Sequence, residues 1–240
     1  NPPDYDRPAD AGVNNVYDVE VTVTDQGNLS DTQNVTVAVT DLPDEEAPAE
    51  GYRLLGFGQN TLGQLGLGTQ DEPHLPVEIL AGGAQDVIAG SNHTLLLKTD
   101  GSLHATGYGL NGRLGTGTWN NESSFVQVRD TNVSAITAGY AYSLFLDQNG
   151  SLWGMGSNWD GYLGLGDAEY ANSPTLIVEA NVTAVSAGGW HSLFLKTDGS
   201  LWAMGYNPSG RLGDGTTETR RIPVQVIDSG VTAISGGLSH

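Results

Sequence analysis

The sequence predicts an all-β protein in which most of the chain repeats one small unit of strands. The first observation is a fixed period of 49 residues, seen in Gly63, Gly112, Gly161 and Gly210 and kept by the leucines and glycines that follow them. The second is the absence of a sustained 3.6-residue apolar period, which argues against helices. The third is an N-terminal stretch in which apolar and polar residues alternate. Self-similarity at a fixed period of this size indicates a repeat architecture.

The N-terminal module, residues 1–44, does not share the 49-residue period. Within it, Val16–Thr24 and Asn34–Thr40 alternate apolar and polar residues, and the polar stretch Asp25–Gln33 connects them. This pattern predicts a β-hairpin with one buried face. Two strands bury too little surface to fold alone, so we expect a partial β-sandwich whose other strands precede this sequence, in an internal piece of a longer protein. Residues 45–50, which are acidic and contain proline, form the predicted linker.

The second module, residues 51–240, contains the repeats. One copy runs from Gly150 to Asp198, and a turn-rich stretch, Ser157–Gly166, interrupts its apolar segments. The four segments that we predict as strands are Ser151–Gly156, Thr175–Val178, Val182–Ser186 and Ser192–Lys196. Asn149 and Asp198 each precede a glycine, and such pairs favour a two-residue hairpin turn between the fourth strand of one copy and the first of the next. Four antiparallel strands per unit are typical of a propeller blade, so we predict a partial β-propeller of about four blades.

The repeat also resembles a known family. Ala187–Trp202 reads Ala-Gly-Gly-Trp-His-Ser-Leu-Phe-Leu-Lys-Thr-Asp-Gly-Ser-Leu-Trp, and Gly210–Gly215 reads Gly-Arg-Leu-Gly-Asp-Gly. Both are similar to the regulator of chromosome condensation repeat, whose family forms seven-bladed propellers, and the resemblance covers residues 51–240. The sequence departs from the family pattern where Tyr142 replaces its His and where Gly109 replaces an Asn. Neither departure changes the expected number of strands.

The hairpin of the first module resembles the carboxy-terminal half of a bacterial cadherin-like repeat, a family of tandem β-sandwiches that bind calcium at their joints. The resemblance implies a calcium site, because clustered carboxylates supply the hard oxygen ligands that Ca²⁺ requires. The carboxylates at the acidic positions of the family are Asp4, Asp6, Asp25, Asp41 and Asp44. Asp6 stands where the family has Glu, and Pro43 replaces an Asn of its linker. The alternative is that these acids lie on a solvated domain edge.

The composition is strongly acidic. The chain has 28 acidic and 9 basic residues, a net charge of −19, and residues 1–50 hold 12 of the acids against Arg7 alone. A basic patch is the expected footprint of nucleic-acid binding, so we predict no DNA or RNA partner.

No apolar run approaches the ~18 residues of a membrane span, which predicts no membrane insertion within this sequence. The sequence contains no cysteine, which excludes disulfides and cysteine metal sites.

Comparison of equivalent positions along the period separates scaffold from candidate binding residues. Trp153 and Trp202 recur at one position, so we interpret them as packing within the blades. Four other aromatic residues have no aromatic equivalent in any copy, and we predict that they bind a partner: Trp119, Tyr140, Trp159 and Trp190. Aromatic anchors on loops of a rigid scaffold are typical of binding surfaces. The alternative is that each ring fills a local gap between blades.

One further position repeats as His93, Tyr142, His191 and His240. A ring of imidazoles would suit a metal, but Tyr142 interrupts it, so we predict that each of these residues hydrogen-bonds to the backbone of its own blade. A Ser or Thr adjoins each histidine, but these pairs recur with the period, whereas catalysis usually needs one unique constellation. We therefore predict that the protein is not an enzyme and that it needs no cofactor apart from calcium in the first module.

Three functions from different classes fit these observations. We predict a non-catalytic binding or adhesion module at the bacterial cell surface or outside the cell, whose propeller presents loops to a protein or glycan. The first alternative, implied by the family resemblance, is a secreted propeller that inhibits an enzyme such as a β-lactamase. The second is a nucleotide exchange factor for a small GTPase, but that activity uses a protruding insertion, and the constant spacing leaves none in these repeats.

Overall fold

The computed structural model describes residues 16–24, 30–38 and 51–240. Contacts divide the chain into two units, Asn1–Pro48 and Ala49–His240. In the first, β1 (Val16–Thr24) and β2 (Ser30–Ala38) form an antiparallel pair. The second strand thus begins four residues before the predicted Asn34, because strand pairing uses backbone groups and continues through polar residues.

The second unit confirms the predicted fold class. It contains thirteen strands and, within residues 51–240, no α-helix, only a 3₁₀ turn at Leu110–Gly112. The first sheet consists of β3 (Tyr52–Gly56), β4 (Val77–Ala89), β5 (His93–Lys98), β6 (Leu103–Gly107) and β7 (Glu122–Arg129). The second consists of β8 (Val133–Ala138), β9 (Tyr142–Asp147), β10 (Leu152–Ser157) and β11 (Tyr170–Val178). The third consists of β12 (Val182–Ala187), β13 (His191–Lys196), β14 (Leu201–Gly205) and β15 (Arg220–Ile227).

Each sheet contains consecutive strands paired in antiparallel order. The sequence copy that begins at Gly150 therefore crosses a boundary, since β10 and β11 belong to one sheet while β12 and β13 belong to the next. The predicted boundary at Asn149 was wrong, and the reason is geometric. A two-residue hairpin turn makes its flanking strands neighbours in one sheet, so this turn joins β9 to β10 within a blade.

Strand β4 is long because it serves two blades. Its first part pairs with β3 and its second part, from Ala84 onward, pairs with β5. The chain turns at the same position of each repeat, where Gly83, Asn132 and Asn181 have φ values of 81°, 72° and 69°. Glycine and asparagine adopt such angles more readily than other residues. The first blade is accordingly the second part of β4 with β5 to β7, the second blade is β8 to β11, and the third is β12 to β15.

The core lies between successive blades. One cluster joins the second and third blades and includes Tyr142, Leu163 and Phe194, while another joins the first and second and includes Leu114 and Phe145. The motif leucines Leu114 and Leu163 are fully buried in these clusters. Each blade thus buries its apolar surface against its neighbours, as expected for a repeat protein whose units are stabilised by their interfaces.

The antiparallel order also determines which loops lie together. In each blade the connection from the first to the second strand and the connection from the third to the fourth emerge at the same edge of the sheet. We call this edge the long-loop face. It consists of residues 90–92, 108–121, 139–141, 158–169, 188–190 and 206–219.

Candidate partner-binding face

All four predicted partner-binding residues lie on the long-loop face. Trp119 and Trp159 lie in connections between third and fourth strands, and Tyr140 and Trp190 lie in connections between first and second strands. Trp119, Tyr140 and Trp159 expose 47%, 44% and 59% of their surface, and Trp190 is half-buried. Because the loops of successive blades meet at this edge, the structure groups these residues on one surface.

Towards the outer part of the blades, Trp119 and Trp159 are joined by a third ring. The centroid of Tyr170 lies 5.2 Å from that of Trp119 and 6.2 Å from that of Trp159. Tyr170 is the first residue of β11, and the sequence comparison missed it. Its equivalents are Glu72, Asn121 and Thr219, so the same comparison extended to this position would have found it.

Beyond the first strands of the second and third blades, β8 and β12, Tyr140 and Trp190 pack against each other with centroids 4.5 Å apart. Trp190 also lies 5.7 Å from the ring of Tyr162, which is buried and which the sequence comparison missed as well. We call the six rings the aromatic face: Trp119, Tyr140, Trp159, Tyr162, Tyr170 and Trp190. Ring pairs at these separations support one another, so the half-buried rings of Tyr170 and Trp190 hold the exposed ones.

The loop that carries Trp159 is fixed by a buried asparagine. Asn158 accepts a hydrogen bond from the Leu163 N–H at 2.9 Å and donates through Nδ2 to the carbonyls of Gly166 and Ala168. The same loop contacts the third blade, where the Gly166 N–H donates to the Arg221 carbonyl at 2.9 Å. Trp159 is therefore presented by a loop that is anchored within its own blade and on the next.

The loop that carries Trp119 has a different conformation from the loop that carries Trp159. This difference explains why glycine replaces the family's asparagine at position 109. A Cβ at Gly109 would lie 1.7 Å from the carbonyl oxygen of Asn120, so no side chain fits. The Gly109 N–H donates to the side-chain oxygen of Asn121 at 3.0 Å. The altered loop brings Trp119 against Tyr170 of the second blade.

A polar cavity of about 520 Å³ lies at the junction of the second and third blades. We call it the junction cleft, and its lining residues are Trp159, Asp160, Asp167, Glu169 and Arg221. One of these residues, Asp160, accepts a hydrogen bond from the hydroxyl of Tyr162, with 2.9 Å to Oδ2. Burial and the Asp160 carboxylate raise the pKa of Tyr162, so this hydroxyl remains a donor.

The repeated histidine position connects blades, and the prediction of bonds within one blade was wrong. His93 Nε2 lies 2.8 Å from Ser143 Oγ of the second blade, and the Tyr142 hydroxyl donates to the Gly188 carbonyl of the third blade at 3.0 Å. Each ring lies over a glycine of its own blade, since a Cβ at Gly90 would be 2.2 Å from the His93 ring. With that space open, the side chain extends past its own backbone and reaches the next blade.

The other residues discussed in the sequence analysis have scaffold roles or lie outside the described residues. Trp153 stacks on Phe145 and Trp202 on Phe194, with centroids 6.2 Å and 6.0 Å apart.

The predicted calcium ligands Asp4, Asp6, Asp25, Asp41 and Asp44 lie outside the described residues, so this site stays a prediction. Within the described part of the chain, no group of three or more His, Asp or Glu side chains is placed to hold a metal ion. The same part has no helix long and apolar enough to cross a membrane.

Three solved structures with a similar fold are distant from this chain in sequence. Human WBSCR16 matches with 19% identity and a TM-score of 0.59, over 78% of this chain and 65% of its own. Yeast RCC1 (Prp20), in a complex with Kap60, matches with 19% identity and a TM-score of 0.64, over 72% of this chain and 44% of its own. Prp20p from Saccharomyces cerevisiae, a structure described with its binding to Gsp1p and histones, matches with 21% identity and a TM-score of 0.59, over 72% and 46%. This chain thus spans less than two thirds of the length of each.

Family profiles give the assignment that these distant structures cannot give alone. A comparison with curated protein sequences finds no match. The profile described as Regulator of chromosome condensation (RCC1) repeat matches residues 53–97, 149–195 and 198–240, and a second profile of the same description matches residues 182–211. These ranges cover more than half of the sequence and fall on the repeats of the second unit. The chain therefore belongs to the regulator of chromosome condensation (RCC1) repeat family.

Proposed function

We propose that this chain is a non-catalytic binding module that holds a protein partner on the aromatic face. The observation that carries the proposal is the grouping of five rings on the long-loop face with a sixth, Tyr170, at the start of β11. At each exposed site the equivalent positions of other repeats supply smaller or polar side chains. Large exposed aromatics without a structural equivalent are not required by the blade. Binding surfaces use such rings as anchors.

The surface is also rigid, which favours binding. Asn158 and the contact between Gly166 and Arg221 hold the Trp159 loop, and the ring of Trp190 holds Tyr140. A surface that is already ordered loses little conformational freedom when a partner binds, so more of the contact energy contributes to affinity.

The solved relatives support a protein partner over a glycan. Yeast RCC1 was solved with Kap60 bound, and Prp20p was described with its binding to Gsp1p and histones. At 19% and 21% identity these structures share only the fold with this chain. The proposal therefore takes from them only that the partner is a protein. A position at the bacterial surface or outside the cell is part of the proposal, and it rests on the cadherin-like resemblance of residues 1–44.

The buried hydroxyls beside the repeated histidine position support a non-catalytic role. Ser143 Oγ donates to the Arg113 carbonyl at 2.9 Å, and Ser192 Oγ donates to the Tyr162 carbonyl at 2.7 Å. Both bonds connect a blade to the preceding one, and both serines are fully buried. Hydroxyls used in this way are not free to attack a substrate.

The test replaces each of the four rings that the sequence comparison identified by a residue that another repeat has at the same position. The variant combines Trp119→Thr, Tyr140→Ser, Trp159→Thr and Trp190→Ser. Proteins crosslinked to the immobilised chain are identified, purified and titrated against it, and we expect the variant to lose at least about tenfold in affinity, as for the loss of several anchors.

A control variant, Leu176→Thr with Ile227→Thr, removes exposed apolar residues outside the long-loop face and should retain binding. Because Trp190 is half-buried, a triple variant that keeps it separates loss of binding from loss of folding. Unchanged affinity in folded aromatic variants would overturn the proposal. Purified partners that are all enzymes, inhibited on binding, would favour the inhibitor alternative, and partners that are all small GTPases would favour the exchange factor.

A further inference from the structure

The junction cleft differs from the equivalent place between the first and second blades. Around Trp159 it presents the side chains of Asp160, Asp167, Glu169 and Arg221. The equivalent residues one repeat earlier are all uncharged, and they are Leu110, Asn111, Thr118, Asn120 and Asn172. The blade joint itself therefore does not require these charges or the indole.

The charged groups of the cleft form no ion pair within residues 51–240, although Asp160 accepts the hydrogen bond of the Tyr162 hydroxyl. Among residues 51–240, the ion pairs within 4 Å involve Arg53, Arg129 and Arg220, and none includes an acid of the cleft. In the third blade, by contrast, Asp214 is already paired with Arg220 at 2.7 Å. Three carboxylates against one guanidinium leave an excess of two negative charges in the cleft, beside an indole that is 59% exposed.

We propose that the junction cleft holds a lysine or arginine side chain of the protein partner. The inference rests on the proposed function and specifies the chemistry of the partner at one part of the aromatic face. A cation over an indole face is attracted by the ring, and the attraction grows when the pair is partly shielded from water. The surrounding carboxylates add to it, and the net charge of −19 attracts basic segments over a longer range.

The test uses a defined probe, the peptide acetyl-Gly-Lys-Lys-Lys-Gly-amide, and the ¹⁵N-labelled chain. The indole N–H signal of Trp159, assigned by its loss in Trp159→Phe, should shift and saturate as the peptide is added. The indoles of Trp153 and Trp202, which pack within the blades, serve as internal references and should not move. The affinity should fall as salt is raised, because exposed charges are screened.

A matched pair of variants separates the cleft from the general charge of the protein. Asp167→Asn with Glu169→Gln removes two charges from the cleft, and we expect a loss of about fivefold or more in affinity for the peptide, in line with coupling between close charges. Asp130→Asn with Asp228→Asn removes the same charge from the opposite edge of the blades, where each residue directly follows a fourth strand. This control should change the affinity less than about twofold.

The outcomes are distinct. Equal losses in both double variants, or a Trp159 signal that does not move, would overturn the proposal. A Trp159 signal that moves with chito- or manno-oligosaccharides but not with the lysine peptide would assign the cleft to a glycan and overturn it as well. If the aromatic variants still lose their purified partner while the peptide fails to bind, the proposed function stands and only the basic side chain in the cleft is wrong.

Discussion

His93 and Ser143 lie fifty residues apart in the sequence and form a buried hydrogen bond, with 2.8 Å between Nε2 and Oγ. Ser143 uses its own proton to donate to the Arg113 carbonyl, so it accepts from the imidazole, and His93 carries its proton on Nε2. In the next joint Tyr142 Oη lies 3.1 Å from Ser192 Oγ. Successive blades are thus connected by a buried side-chain pair at one position of the repeat.

The first prediction concerns this connection. Ser143→Ala leaves His93 Nε2 and the Arg113 carbonyl without partners in a buried joint. Unsatisfied buried groups cost energy, so the free energy of unfolding should fall by about 1–3 kcal/mol. Denaturant unfolding measures this change, and Ser173→Ala, at an exposed position, is the control. Equal stability of the two variants would show that the bond does not hold the blades together.

The second prediction is a dependence of stability on pH. Burial, with a smaller contribution from the positive charge of Arg113, lowers the pKa of His93 from 6.5 to about 3. Burial and Arg211 lower that of His191 to about 4. Between pH 6.5 and these values the unfolded chain binds more protons than the folded chain. The free energy of unfolding should therefore fall as the pH is lowered, by up to about 1.4 kcal/mol per pH unit for each histidine.

The repeats themselves supply the variant that tests this dependence. His93→Tyr places at the first joint the residue that Tyr142 provides at the second, and it removes one titrating imidazole. The slope of stability against pH between pH 6 and 4 should decrease by up to about 1.4 kcal/mol per pH unit. Ser173→Ala, which changes no titrating group, should leave the slope unchanged. A slope in His93→Tyr equal to that of the parent would contradict a neutral, buried His93.

The sequence was sufficient to predict that the repeating unit is a four-stranded blade of 49 residues, but not to predict where each blade begins and ends. Glycines and leucines at a constant interval predict identical units, yet any starting point along the chain yields the same interval. The information that sets the boundary was local, in the Asn149-Gly150 turn, which joins β9 to β10 within one blade. The His93 to Ser143 bond was out of reach for a related reason, since it depends on how far one blade lies from the next.

The candidate site was predictable only in part. Comparison of repeats identifies rings without an equivalent, such as Trp119 and Trp159, because the fold does not require them. It does not identify which rings touch, because contacts depend on how the blades pack. Tyr170 of the second blade touches both Trp159 of its own blade and Trp119 of the first. The junction cleft likewise combines Trp159 with Arg221, which is sixty-two residues later in the sequence and on another blade.

The third prediction isolates packing between blades from backbone strain. Gly161 and Gly210 occupy the same repeat position with φ values of 79° and 72°, so alanine at either should cost about 1–2 kcal/mol for the left-handed backbone. A Cβ at Gly161 would also lie 2.4 Å from Arg221 Cα of the third blade, whereas at Gly210 its nearest neighbour is 3.8 Å away. Gly161→Ala should therefore be less stable than Gly210→Ala by about 1–3 kcal/mol in thermal or denaturant unfolding. Equal losses would mean that the loop of the second blade does not press on the third.

The fourth prediction concerns the asparagine under the aromatic face. Asn158→Ala removes three hydrogen bonds in a fully buried site, those with the Leu163 N–H and with the carbonyls of Gly166 and Ala168. We expect a loss of about 3 kcal/mol in the free energy of unfolding, because backbone groups are left unsatisfied away from water. Asn158→Asp keeps the acceptor for Leu163 but loses both donors, so it should also be destabilised. Asn149→Asp, which copies Asp100 and Asp198 at an exposed turn, should not be.

The same variant links the scaffold to the surface. Since Asn158 adjoins Trp159, loss of its hydrogen bonds should release the loop and broaden or shift the Trp159 indole signal under conditions where the protein is still folded. The indole of Trp202, on the third blade and packed on Phe194, should be unaffected and reports that the fold persists. A Trp159 signal unchanged in folded Asn158→Ala would show that the ring is held by its neighbours alone, chiefly Tyr170, and not by the asparagine beneath it.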